Sequence, residues 1–118
     1  MSAVERMSPE DLQIIKECLD AAVNGPFFPD WEFPTLMGFT REEIAAIAVA
    51  WPFSSEPDEQ KSAVNNVLNM LLGYPHDRAS RWHEYLDASP ERIARVLARW
   101  RGDDDFDETA RGVFDRLR

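Results

Sequence analysis

Apolar residues recur along this chain at intervals of three and four, the spacing that lines one face of a helix. The first run is Leu12, Ile15, Leu19, Ala22 and Val23. Ser8 stands before it as N-cap, Pro9 takes the first helical position, and Glu10 and Asp11 fill the first turn, where acids suit the positive end of the helix dipole. Gly25 after Asn24 marks the stop, and Pro26 forbids continuation.

A second helix opens on a capping box, Thr40-Arg41-Glu42-Glu43, with Phe39 and Ile44 placed as a hydrophobic staple. Ile44, Ile47, Ala48 and Trp51 share one face, but Ala45, Ala46, Val49 and Ala50 surround it, so the helix is apolar nearly all round. That pattern predicts a central, mostly buried helix, ended by Pro52. A third helix is expected from about Ser55–Asp58 to Leu72, with Val64, Val67, Leu68 and Leu71 inward and Gly73 as its stop. A short fourth carries Trp82, Tyr85 and Leu86, and a fifth starts at Ser89-Pro90-Glu91 with Ile93, Val96, Leu97 and Trp100 inward. After Gly102, the acidic run Asp103-Asp104-Asp105 predicts a sixth, with Phe106, Ala110, Val113, Phe114 and Leu117 on its apolar face.

No segment alternates with period two, so little or no sheet is expected. The fold class is all-α: a compact bundle of five to six short helices packed around the second. At 118 residues the chain reads as one domain, large enough for a core without disulfides or metal, with residues 1–7 flexible.

The connection between the first two helices breaks the pattern. Phe27, Phe28, Trp31, Phe33 and Phe39 crowd into it, and Pro26, Pro29 and Pro34 stiffen its backbone. A long loop so rich in rings either folds back as a lid or meets a partner. The reading here is a lid packed through its phenylalanines, with Asp30 and Glu32 flanking Trp31 as an exposed aromatic and acidic tip.

Charge adds a direction to this picture. Residues 1–76 carry 12 acids against 4 bases, whereas residues 77–118 carry 10 acids against 9 arginines. Repulsion from phosphate argues against nucleic-acid binding by the N-terminal two thirds, and the acids Glu42, Glu43, Glu56, Asp58 and Glu59 at two helix starts would attract a basic protein. Arg92, Arg95, Arg99 and Arg101 form a stripe on the fifth helix, expected to be solvated. The longest nearly apolar run, Ile44 to Phe53, is far short of the roughly 20 residues of a membrane span, and the start of the chain lacks a signal-type run, so no membrane contact and a cytoplasmic location are expected.

Candidate chemistry is sparse. Cys18, the single cysteine, falls on an apolar helix face and reads as a small buried hydrophobe. His76 and His83 lack a third strong ligand, so no metal is expected; no serine sits in a nucleophile elbow, and no glycine-rich phosphate loop exists. No cofactor is expected either. Asn65, Asn66 and Asn69 are unusual inside a helix and read as partners for loop backbone groups.

The run Gly25-Pro26-Phe27-Phe28-Pro29-Asp30-Trp31-Glu32-Phe33, together with Val64-Asn65-Asn66 and Leu71-Leu72-Gly73-Tyr74-Pro75-His76, resembles a group of small acidic hypothetical bacterial proteins. The resemblance covers roughly residues 8–85 and implies a shared fold, with no activity attached. In size and charge the chain is also similar to bacterial immunity proteins and toxin or nuclease inhibitors.

The leading expectation is therefore a non-enzymatic protein-binding module, an immunity protein or inhibitor that neutralises a basic partner such as a nuclease toxin. Asp30, Trp31, Glu32, Glu42, Glu43, Glu56, Asp58 and Glu59 are its candidate contacts, with Trp31 as anchor. An alternative is a small-molecule or hydrolytic site between the aromatic loop and the third helix, lined by Asn65, Asn69, Tyr74 and His76. A second alternative is a homodimer through the exposed part of the loop.

Overall fold

The computed structural model describes residues 3–102. These form seven α-helices and one 3₁₀ turn, with no strand among the described residues: α1 (Ala3–Arg6), α2 (Pro9–Asn24), α3 (Phe33–Met37), α4 (Arg41–Ala50), α5 (Pro57–Gly73), the 3₁₀ turn Ala79–Arg81, α6 (Trp82–Tyr85) and α7 (Pro90–Arg101). The radius of gyration, 13.5 Å, is that of a compact chain, for which about 13 Å is usual at 100 residues.

Three helix starts carry the expected caps. The Asp11 amide donates to Ser8 Oγ at 3.1 Å and the Arg92 amide to Ser89 Oγ at 3.2 Å. At α4 both arms of the capping box close, Glu43 N to Thr40 Oγ1 at 3.1 Å and Thr40 N to Glu43 Oε1 at 2.8 Å. Gly25 ends α2 with its amide on Ala21 O; a Cβ there would sit 2.6 Å from that same oxygen, which explains the glycine without any unusual backbone angle.

The centre of the molecule is not α4. It is the pair α2 and α5, which pack on each other while α4 lies against α2 and α7 against α5. Ile15, Cys18 and Leu19 of α2 and Val64, Val67 and Leu68 of α5 are completely buried. On α4 only Ile44 and Ala48 are buried, and Ala46, Val49 and Ala50 face outward. The physical reason is size: four of the ten α4 residues are alanine, too little apolar area to claim the middle of the core against the large aliphatic side chains of α2 and α5.

Two further differences concern the ends of elements. Residues 3–6, expected to be loose, form the turn α1, because Arg6 Nη2 donates to Trp100 O at 3.0 Å and so covers the last carbonyls of α7, and Met7 is buried behind it. The aromatic connection is not a plain loop, since its second half winds into α3 and stops at Gly38, whose φ of 74° is the left-handed conformation glycine adopts freely. The sixth predicted helix, after Asp105, lies outside the described residues.

Indole groups tie the layers together. Trp100 Nε1 donates to Lys61 O at 3.1 Å, Trp51 Nε1 to Leu12 O at 2.9 Å, and Trp82 Nε1 to Ala88 O at 2.9 Å. Each ring thus adds apolar area to the core and satisfies its one donor.

Candidate functional site

Phe27, Phe28 and Phe33 of the aromatic segment are buried, as a folded lid requires. Phe27 meets His76, Trp82 and Tyr85 edge-on at centroid distances of 5.0, 5.8 and 5.8 Å, and Phe28 approaches Tyr74 at 5.6 Å. The organiser of the lid is Arg41, a residue whose role the sequence did not reveal. Its Nη1 donates to Ala22 O at 2.9 Å and Val23 O at 2.8 Å, its Nη2 to Phe28 O at 3.0 Å and to Asp30 Oδ1 at 2.9 Å, and its guanidinium lies 4.4 Å above the Phe33 ring. A base in the first turn opposes the dipole of α4, and that misplacement was the available signal: the charge belongs to the carbonyl end of α2.

Asp30 and Glu32 both have partners within the fold, although the Asp30 side chain stays exposed. Asp30 pairs with Arg41, and the Glu32 carboxylate accepts the hydroxyl of Tyr74. That hydrogen bond, followed by burial and the charge of Glu32, raises the Tyr74 phenol above its ordinary value. Trp31 between them remains 78% exposed.

The other candidate acids behave differently. On α2 three of the four acids are matched, Glu10 with Arg92 at 3.3 Å, Asp11 with Arg99 at 2.7 Å and Asp20 with Lys16 at 3.0 Å, while Glu17 faces Asp87. Glu42, Glu56, Asp58 and Glu59 are all exposed, and none makes an ion pair with a described residue. Glu43 is exposed too and occupied only by its own cap. Glu43, Glu56 and Glu59 stand together around an open groove of about 280 Å³ between α4 and the start of α5, whose apolar lining includes Phe39, Ala46, Ala50 and Phe53. Asp58 turns away from them into a separate cavity beside Arg6, Lys61 and Arg101.

No family model, curated protein or solved structure matches the chain.

The four arginines of the α7 stripe are exposed, as expected, but three of them also make contacts within the molecule. Arg99 grips Asp11 with Nε at 2.9 Å and Nη2 at 2.7 Å, Arg92 reaches Glu10, and Arg101 Nε donates to Asn65 Oδ1 at 2.6 Å. Burial opposes the charge on Asp11, but the hydrogen bonds and charge of Arg99, with help from Ser8, outweigh it and hold the carboxyl below its ordinary range.

The four residues of the expected pocket divide between separate surroundings. Asn65 and Asn69 turn toward Arg101 on α7, Tyr74 holds Glu32, and His76 stacks on Trp82 and meets the edge of Phe27. Burial lowers the His76 pKa, as it does for an imidazole packed among rings. Asn66 performs the task foreseen for the asparagines, its Nδ2 donating to Met37 O at 2.8 Å and so fastening the end of α3 to α5. Among the described residues no three His, Cys, Asp or Glu side chains are arranged to hold a metal ion, and no helix is long and apolar enough to cross a membrane. Cys18 is fully buried and its thiol is pushed far up by that burial, so it is not a nucleophile.

Proposed function

We propose that the protein is a non-enzymatic binding module for a basic protein partner, of the immunity or inhibitor type, and that the acids at the starts of α4 and α5 are its recognition surface. The observation that carries this reading is a contrast in pairing: Glu10, Asp11 and Asp20 of α2 have cations, whereas Glu42, Glu56 and Glu59 are exposed without an ion pair to a described residue, and Glu56 and Glu59 border one groove with Glu43. Uncompensated charge at a surface repels its own kind and costs folding free energy, and it speeds the approach of an oppositely charged partner. Trp31 is a contact at the tip of the lid, and Asp30 and Glu32 act by holding that tip in place.

The test is affinity capture from the native lysate at low and high salt, with the wild-type protein and with a Glu42→Lys, Glu43→Lys, Glu56→Lys, Glu59→Lys variant run in parallel. A basic protein retained by the wild type at low salt, released by high salt and absent from the variant supports the reading. The same proteins on both baits, independent of salt, contradict it.

A further inference from the structure

The outer side of α4 carries Ala46, Val49 and Ala50, and Phe53 follows just beyond the helix end, its amide hydrogen-bonded to Ala50 O at 2.9 Å. Ala46, Val49 and Ala50 are spaced i, i+3 and i+4 on one helical face, and Phe53, past the helix end, lines the same groove as Ala46 and Ala50, so the apolar strip continues beyond the helix. Nothing among the described residues covers it: Val49 is 85% exposed and Phe53 80%. Two of the three large exposed hydrophobic residues in the described part of the chain are therefore on this one ridge. An exposed apolar ridge rimmed by charge marks an interaction surface.

The rim decides what fits. The groove beside the ridge is bordered by Glu43, Glu56 and Glu59, and Glu42 lies one turn before Ala46 on the same side of α4. A second copy of the chain seated ridge to ridge would bring these carboxylates toward their own counterparts, a like-charge juxtaposition that disfavours it. A groove of about 280 Å³ falls below the roughly 300–1,000 Å³ of small-molecule sites, and its acidic border would desolvate at a cost around a neutral ligand.

We infer that this face is the seat of a basic amphipathic helix of the partner, whose apolar side lies along Ala46, Val49 and Phe53 and whose lysines or arginines reach Glu42, Glu43, Glu56 and Glu59. The small side chains of Ala46 and Ala50 let a second helix axis come close, and Phe53 gives the contact an aromatic anchor. The inference rests on the basic-partner reading and names the segment that reading would bind. It also moves the chief apolar contact from Trp31 to Val49 and Phe53.

The test titrates the ¹⁵N-labelled full chain with three synthetic peptides of about 15 residues: a leucine and lysine helix with all leucines on one face, the same composition in scrambled order, and a leucine and glutamate helix of the first pattern. The expected result is saturable shift changes at Ala46, Val49, Ala50 and Phe53 with the first peptide alone, weakened about tenfold or more by Phe53→Ser, the worth of one buried aromatic side chain. Phe53→Ser is an exposed change, and a melting curve superimposable on the wild type verifies that the fold is kept. Equal binding by the scrambled lysine peptide, with shifts confined to the acids, overturns the ridge as a seat and leaves the basic-partner reading standing. No response to either lysine peptide at low salt overturns both.

Discussion

Arg41 lies over the ring of Phe33, its guanidinium carbon 4.4 Å from the ring centroid, and from that position it reaches the carbonyls of Ala22, Val23 and Phe28. One side chain thus closes the end of α2, fixes the start of the aromatic segment and carries a cation–π contact. Arg41→Ala leaves three carbonyls and Asp30 without this donor, and the expected loss is about 2–3 kcal/mol by urea unfolding. Arg41→Lys keeps the charge but not the fork, so it recovers less than half of that loss.

The pairing of Asp11 with Arg99 makes stability depend on pH in a definite direction. A carboxyl held below its ordinary pKa contributes stability above the ordinary carboxylate range, and that contribution is lost as pH falls through the depressed value. Asp11→Asn should cost about 1 kcal/mol at neutral pH, because Arg99 is half exposed, and should flatten the acid limb of a stability profile. Glu17 has the opposite sign. Burial, then the hydrogen bond and charge of Asp87, raise its pKa, so its contribution is full in acid and is lost as pH rises through the raised value. Glu17→Gln is therefore expected to stabilise the protein at neutral pH and to lose that advantage in acid.

Tyr74 reports on the lid without perturbing it. Its phenol is raised by the hydrogen bond to Glu32, so absorbance at alkaline pH should show a tyrosine ionising above the ordinary phenol range. In Glu32→Gln the same group should titrate earlier than in the wild type. An unchanged curve would mean that the tip around Trp31 is not held by this contact.

Local chemistry was legible in the sequence, and long-range pairing was not. Ser8, Thr40 and Ser89 cap their helices through amides three residues away, a relation written in adjacent letters. The burial of Phe27 and Phe28 followed from the aromatic density of their segment. By contrast, Arg99 finds Asp11 across 88 residues, and Asn66 rather than Asn65 or Asn69 binds the backbone of the lid because the turn of α5 aims it there. The same limit applied to the candidate acids. Their number was visible, but which of them found partners depended on where Arg41 and Tyr74 came to lie. The misjudged position of α4 had a different cause: alanine fits both a buried and an exposed face, and a helix of Ala45, Ala46, Ala48 and Ala50 does not declare which side meets the core.

The most direct measurement of the central claim is the association rate constant between this protein and its captured partner as a function of ionic strength, for the wild type and for Glu56→Lys with Glu59→Lys. Steering by the unpaired acids predicts a wild-type rate that falls steeply with salt, and a variant at least about tenfold slower at low salt with a flattened dependence. Equal rates and equal salt slopes in the two proteins would contradict the assignment of this face as the recognition surface.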